Sequence, residues 1–328
     1  MTDQRYQIVG IGNAIVDVLT QCDDHFLDHM GIEKGIMQLV ERERAELLYA
    51  AMRERVEAPG GSVGNTVAGA AALGAATAFI GRVRDDALGR GYAEGLGGSF
   101  PNPPVTGGEL PTSRSMIFVT PDGERSMNTY LGISAELGPE DVSETVTGAA
   151  EVLFLEGYLF DKDKGKEAFL KAARATKAGG GKAGIALSDP FCVNRHRVDF
   201  LRLIQSELDY VIGNRLEWCA LYETEDLEEA LAKARADCPL VVCTRSGEAV
   251  VIIAGDERIE VPVRTVVPVD ATGAGDQFAA GFLFGLATGR DLATAGRMGC
   301  VMAAEVIGHF GARPTGDVQA MFRAEGLL

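Results

Sequence analysis

Asp270-Ala271-Thr272-Gly273-Ala274-Gly275-Asp276 ends a small, glycine-punctuated loop on an acid, at the point where a helical pattern begins. The apolar stretch 266–269 before it reads as a strand, and Phe278, Phe282 and Leu286 recur at helical spacing after it. The motif therefore occupies a strand-loop-helix corner. Gly273 and Gly275 let the backbone approach a ligand closely, and the N–H groups of the first helical turn have no acceptor within the helix. Such a corner binds anions. A carboxylate like Asp276 repels a neighbouring phosphate unless it has a task, and the task that fits is accepting the proton of a hydroxyl as it attacks phosphorus. The loop points to phosphoryl transfer to an alcohol, set against the plainer reading of a helix cap, for which Asp and Thr at a Gly-rich entrance are common.

Three further stretches bear on that choice. Gly60-Gly61-Ser62-Val63-Gly64-Asn65 places a glycine pair and a small residue before an Asn and a small-residue helix over 66–73. Gly81-Arg82-Val83-Arg84-Asp85-Asp86-Ala87-Leu88-Gly89 follows an apolar run, and Asn214-Arg215-Leu216-Glu217 follows the apolar strand 210–213. In this order, from Gly10 to about Pro314, they resemble the motifs of the ribokinase-like (PfkB) kinases: a glycine pair near the substrate sugar, G-x-[IV]-G-x-D-x-x-G, N-x-x-E and D-T-x-G-A-G-D. The chain departs from the pattern in having Arg84 where the family usually has Gly, and Ala271 where it has Thr. Ala271 removes one hydroxyl and leaves untouched an anion hole whose donors are backbone N–H groups. The resemblance implies an α/β fold of three layers, a mostly parallel central sheet with helices on both faces, plus a small β-lid over the substrate.

Composition narrows the setting. A chain of 328 residues buries roughly three quarters of its extended surface, enough for one large α/β domain with an appendage. A net charge of -16 and a pI near 4.8 argue against nucleic acid or anionic membrane as partner, since neither meets a basic surface. Phosphate must then be held by local devices: helix N-termini, Mg2+ and a few arginines. The six cysteines, at 22, 192, 219, 238, 243 and 300, form no C-x-x-C pair and no zinc spacing, and read as reduced thiols of a cytoplasmic protein. No basic leader followed by a long apolar stretch and no run of eighteen apolar residues is present, which speaks against secretion and membrane spanning.

Short apolar runs at 6–9, 78–81, 152–155, 184–187, 210–212 and 240–243 alternate with helical patterns at 41–56, 86–96, 164–178, 195–207 and 226–236, the rhythm of a mostly parallel sheet covered on both faces. About 13–40 and 111–131 break that rhythm with short alternating runs, the second folded at the turn Pro121-Asp122-Gly123-Glu124. The resemblance assigns these segments to the lid, inserted into a single domain over 1–328. Other phosphate motifs fail. Gly181-Lys182 is followed by Ala183, and Thr176 stands where a Walker A loop needs its first glycine. After Gly10-Ile11-Gly12 the third glycine of a dinucleotide fingerprint falls on Ile15, with no helix following.

At the substrate end, Asn13 and Asp17 combine an amide and a carboxylate, equipment for gripping vicinal hydroxyls by donating and accepting together, where the plain alternative is a turn and a solvated acid. With Gly60, Gly61, Ser62 and Asn65 they resemble the G-N-P-L-L-D and G-G-S-x-x-N patterns of the adenosine kinase branch, although Ala14 stands where that branch has Pro. The resemblance makes them ribose contacts, with Tyr158 and Leu39 candidates to sandwich a purine against the plain reading of core or lid packing. Arg125 and Arg114, in the hairpin, are candidates to reach the transferring phosphoryl group. Asn214 and Glu217 are expected to act through Mg2+ and its waters, with Asn214, Thr244, Gly247, Gly273 and Gly275 contacting ATP. Thr244 and Gly247 match T-x-G-x-x-G with the glycine one place late. The expectation is an ATP- and Mg2+-dependent kinase acting on the 5'-hydroxyl of adenosine or a related nucleoside, with Asp276 as base and an anion hole formed by the N–H groups of Gly273, Ala274, Gly275 and Asp276. A sugar kinase acting on ribose or fructose is the alternative. A monovalent-cation requirement and a monomeric or homodimeric state stay open.

Overall fold

The computed structural model describes residues 5–328. Its strands, in chain order, are β1 (Tyr6–Ile11), β2 (Ile15–Gln21), β3 (Met37–Leu39), β4 (Val56–Pro59), β5 (Thr77–Ile80), β6 (Ser113–Val119) and β7 (Arg125–Tyr130). They continue as β8 (Ala150–Glu156), β9 (Lys182–Ala186), β10 (Tyr210–Asn214), β11 (Leu240–Arg245), β12 (Glu248–Ala254) and β13 (Glu257–Val261). Eight of them form one sheet in the order β13-β12-β11-β10-β9-β8-β1-β5, and five form a second in the order β3-β7-β6-β2-β4. From β5 to β11 the large sheet is parallel; β12 and β13 turn back antiparallel at its edge. The fold is the three-layer α/β class that the sequence implies.

The period of two along each strand sorts side chains to opposite faces. Val152, Phe154, Tyr210, Ile212, Leu240 and Val242 share one core with the helices Ser62–Ala72, Ala274–Ala287 and Leu292–Val306. Leu153, Leu155, Val211 and Val241 share the other with Asp163–Ala178, Pro190–Glu207 and Leu227–Asp237. Strands buried on both faces read as unbroken apolar runs, which is why all six were visible in the sequence.

Two expected elements differ. The stretch 266–269 is not a strand: it lies in a connection without regular structure over 262–271, and Pro268 removes the donor a strand partner needs. Its backbone instead meets the end of a helix, where Val269 N–H donates to the Ile307 carbonyl at 2.7 Å. The helix expected over 41–56 stops at Ala51, and Val56–Pro59 pairs antiparallel with β2, adding a strand to the small sheet from outside the two expected segments. The β6–β7 hairpin turns where expected, with Gly123 at φ 86° and the Asp122 carboxylate accepting from the Thr120 hydroxyl at 2.6 Å.

Candidate active site

Chain order reverses at β1, which has β5 on one side and β8 on the other. In open α/β sheets a crevice opens beyond the carboxyl ends of such a pair. Asn13 leaves β1 there and Glu156 ends β8, and the two meet: Glu156 Oε1 accepts from the Asn13 N–H at 3.1 Å and from its amide Nδ2 at 2.8 Å, while Oε2 accepts from Val63 N–H at 3.1 Å. Glu156 is 1% exposed, and burial pushes its carboxyl up to about 7 against the pull of those three donors.

Over this crevice two helix N-termini converge. Gly61, at φ 82°, starts Ser62–Ala72, and a Cβ on it would stand 2.2 Å from the Asn13 carbonyl oxygen. Gly273, at φ 78°, starts Ala274–Ala287, and a Cβ there would strike the Ala312 backbone at 2.6 Å. Asp276, in the first turn of the second helix, reaches the first: its Oδ1 accepts from Ser62 Oγ at 2.7 Å and its Oδ2 from Asn65 Nδ2 at 3.0 Å. Burial raises the Asp276 carboxyl to about 6, with Ser62, Asn65 and the charge of Arg313 pulling it back. Gly275 has no protein atom within 4 Å of where a Cβ would lie, so no packing constraint explains its smallness, and the backbone there faces open space.

The cleft holds about 450 Å3 and is lined at one end by Asn13, Asp17, Gly61, Ser62, Asn65 and Asp276. Asp17 packs against Gly60, where a Cβ would lie 2.3 Å from its carboxylate. No hydrogen-bond donor among the described residues reaches that carboxylate, and burial pushes it up to about 7 despite Arg313 nearby. The other end is apolar and aromatic, with Leu39 53% and Phe191 76% exposed beside Met37, Met127 and Tyr158.

A buried carboxylate aimed by two donors at a helix-terminus anion site, beside a second carboxylate left for a hydroxyl, fits phosphoryl transfer to an alcohol, and comparison with known proteins agrees. The model of the pfkB family of carbohydrate kinases matches residues 35–318. The chain belongs to that family. It is accordingly a phosphotransferase with an alcohol acceptor, a kinase of nucleosides or sugars near the adenosine kinase branch. Among solved structures it is similar to adenosine kinase from Sinorhizobium meliloti, at 47% identity and TM-score 0.91 over 98% of this chain and 100% of that one. A probable sugar kinase protein from Rhizobium etli gives 45% identity and TM-score 0.91 over 99% of each chain. A curated relative, 5-dehydro-2-deoxygluconokinase of Halalkalibacterium halodurans, is 26% identical over 93% of this chain and 90% of its own.

The remaining expected residues of this pfkB kinase fall into four groups. Asn13 lines the cleft, but its amide is already satisfied, donating to Glu156 and accepting from Ser134 Oγ at 2.9 Å. Arg125 does not extend into the cleft; it pairs with Asp270 at 2.5 Å, whose carboxylate also accepts from Thr272 N–H at 3.0 Å and Gly311 N–H at 2.9 Å. Arg114 pairs with Glu46 at 2.6 Å and lies over the Tyr49 ring. The hairpin arginines are thus neutralised by acids that sequence spacing does not reveal.

Asn214 and Glu217 cap each other in a reciprocal box: Glu217 accepts from Asn214 N–H at 2.7 Å and Nδ2 at 2.6 Å, and Asn214 Oδ1 accepts from Glu217 N–H at 3.0 Å. Asn214 sits opposite Thr244 across β10 and β11, with Gly247 in the turn that follows. This group stands at the sheet's carboxyl edge, outside the lining of the cleft. In the anion loop, Ala274 N–H is occupied by the Ala271 carbonyl at 3.2 Å, whereas those of Gly273, Gly275 and Asp276 have no acceptor among the described residues. The expected four-donor hole therefore has three free donors. Sequence reasoning did not assign Glu156, Ser134 or Arg313 to the site. An acid directly after the apolar run 152–155 was the available signal for Glu156; Arg313 carried none.

Proposed function

We propose that this pfkB kinase transfers the γ-phosphoryl group of ATP, with Mg2+, to the 5'-hydroxyl of adenosine or a related nucleoside. The supporting observation is the two-ended cleft. One end offers Asp17, a carboxylate without a protein partner and suited to paired ribose hydroxyls; the other offers Leu39, Phe191 and Tyr158, surfaces a flat apolar base can cover. A free sugar carries hydroxyls on every face and leaves that second end unfilled.

In this reading Asp276 takes the hydroxyl proton as the oxygen attacks phosphorus, and the free N–H groups of Gly273, Gly275 and Asp276 face the charge that develops on the transferred group. Mg2+, when bound with the nucleotide, neutralises phosphate charge. Among the described residues no group of three His, Cys, Asp or Glu side chains is placed to hold a metal ion by itself, and Asn214 and Glu217 would supply oxygen chemistry for an ion held chiefly by phosphates and water. Thr244 and Gly247 contact the nucleotide beside them. The small sheet, with β4 added to the segments 13–40 and 111–131, acts as a lid within one domain.

A sugar kinase is the second reading, favoured by the likeness to the Rhizobium etli and Halalkalibacterium halodurans proteins. A panel of adenosine, guanosine, inosine, cytidine, ribose and fructose with MgATP decides. Adenosine is expected to exceed ribose in kcat/KM by at least about tenfold, the worth of a stacked base. Equal or better turnover of a free hexose overturns the nucleoside reading.

A further inference from the structure

Arg313 lies in the loop between the last two helices, Leu292–Val306 and Val318–Ala324, far in sequence from every motif. Its Nε donates to the Asn65 side-chain oxygen at 3.1 Å and one terminal nitrogen donates to the Gly95 carbonyl at 2.9 Å; the other is buried without a partner. The backbone before it is fixed as well, since Gln277 Nε2 bridges the Ala312 and Asn65 carbonyls at 2.9 and 3.0 Å. Asn65 in turn donates to Asp276.

This chain of contacts admits one arrangement of the Asn65 amide. A guanidinium can only donate and an ionised carboxylate can only accept, so the amide oxygen must face Arg313 and the NH2 must face Asp276. Turned about, Asn65 would set a carbonyl oxygen against a carboxylate and an NH2 against a guanidinium, two repulsive contacts in place of two bonds. Resting on the reading of Asp276 as base, we propose that Arg313 is a positioning residue for phosphoryl transfer, locking Asn65 so that Asp276 is held ionised and aimed at the acceptor hydroxyl.

The electrostatics run the same way. Arg313 is the positive charge acting on Asp276, and it acts on Asp17 across the cleft as well, so one guanidinium serves both carboxylates of the acceptor end. The other groups facing this cluster are Ser62 and Asn65 on one helix, Glu156 at the end of β8, Tyr158 after it, Arg125 toward Asp17, and Tyr92, whose hydroxyl donates to the Gly60 carbonyl at 3.2 Å. Of these, Arg313 alone reaches Asp276 through an intervening amide, so its loss has a signature that simple damage to the fold does not share.

The test is a double-mutant cycle with pH profiles, run with MgATP and adenosine. Arg313→Gln is expected to lower kcat about tenfold or more, as misaiming a base does, and to move the acid limb of kcat to higher pH by about one unit. Arg313→Lys keeps charge without the fork, so the limb returns toward its original position while kcat stays reduced. In an Asn65→Ala background Arg313→Gln is expected to cost little more, because the relay is already cut. A normal kcat and unmoved acid limb in both Arg313 variants, or a loss that adds in full to that of Asn65→Ala, overturns the proposal. Asp276→Asn run alongside separates the two readings: if it is active, the base assignment fails; if it is inactive while the Arg313 variants behave normally, only the positioning role fails.

Discussion

At the acceptor end of the cleft Asp276 meets two side-chain donors and Glu156 accepts three hydrogen bonds, whereas at the donor end 262–271 runs without regular structure and leaves Val267 87% exposed. The difference lies in which groups the protein supplies with partners. The acceptor end is a buried polar network in which nearly every member is paired, and such networks fix one geometry. The donor end holds free N–H groups at Gly273, Gly275 and Asp276 and exposed apolar residues at Val267, Val269 and Phe310, contacts for a large anionic ligand to complete. On the proposed reading, in which the proton moves at the first end and the nucleotide enters at the second, pre-arrangement in one and openness in the other suit a phosphotransferase with two substrates.

The comparison breaks first at Asp276. Asp276→Asn is nearly isosteric and removes the proton acceptor, so kcat is expected to fall by about 10² to 10⁴-fold with the adenosine KM little changed. Steady-state kinetics check this, and a variant keeping more than about a tenth of the original kcat takes Asp276 out of the mechanism.

Buried carboxyls in that network, with Glu217 at the donor edge, set a pH dependence of opposite sign for activity and stability. Asp17, Glu156 and Glu217 are raised to about 7 and Asp276 to about 6 by burial. Each binds its proton more tightly folded than unfolded, so the folded state takes up protons as pH falls through 7 and the stability it gains is lost again as pH rises. The melting temperature is expected to rise between pH 8 and about pH 5, while kcat falls below about pH 6 as Asp276 protonates. Calorimetry and rate profiles on one sample test both. A melting temperature that stays flat or falls as the pH is lowered over that range shows that burial does not raise these carboxyls.

How much of this was legible follows from where the information resides. The six parallel strands announced themselves because burial on both faces demands continuous apolar runs, and the Asp276 loop because glycine and acid at a helix entrance combine only for a few purposes. β12 carries the same signal, Val250-Val251-Ile252-Ile253 being buried on both faces, and was legible though not assigned; only the edge strand β13, with a mostly exposed Glu257–Val261, has too weak a pattern to read. Val266, Val267 and Val269 imitated a strand, and Pro268 was the warning. Arg125 was correctly placed on a hairpin, yet its partner Asp270 lies 145 positions away, and no local pattern encodes a tertiary ion pair. Arg313 is the extreme case, since its role exists only after two helix N-termini have met.

An intermediate effect is expected where the two ends are joined. The Arg125–Asp270 pair ties the small sheet to the start of the anion loop, and both side chains are largely buried, so removing one leaves the other charge unpaired. Arg125→Ala is expected to lower kcat about tenfold, more than it weakens adenosine binding, and to speed hydrogen exchange across Ser113–Val119 and Arg125–Tyr130. Adenosine is expected to slow exchange there in the unaltered protein. Exchange that no substrate changes assigns those strands to the fixed body of the fold.

The smallest effect belongs to the donor edge. Asn214 holds Glu217 through three hydrogen bonds, so it caps the helix Arg215–Leu221 whatever else it does. Asn214→Ala is expected to cost about 1 kcal/mol of stability, the usual worth of a lost cap. If the capping box also presents oxygen to the metal and its waters, the variant raises the KM for MgATP severalfold and shifts the Mg2+ dependence of kcat, leaving the adenosine KM alone. A purely structural cap moves only the melting temperature. Measuring the two substrate KM values separately therefore shows whether the division between a finished acceptor end and a ligand-completed donor end holds at its far edge, because a change confined to adenosine would place Asn214 on the wrong side of it.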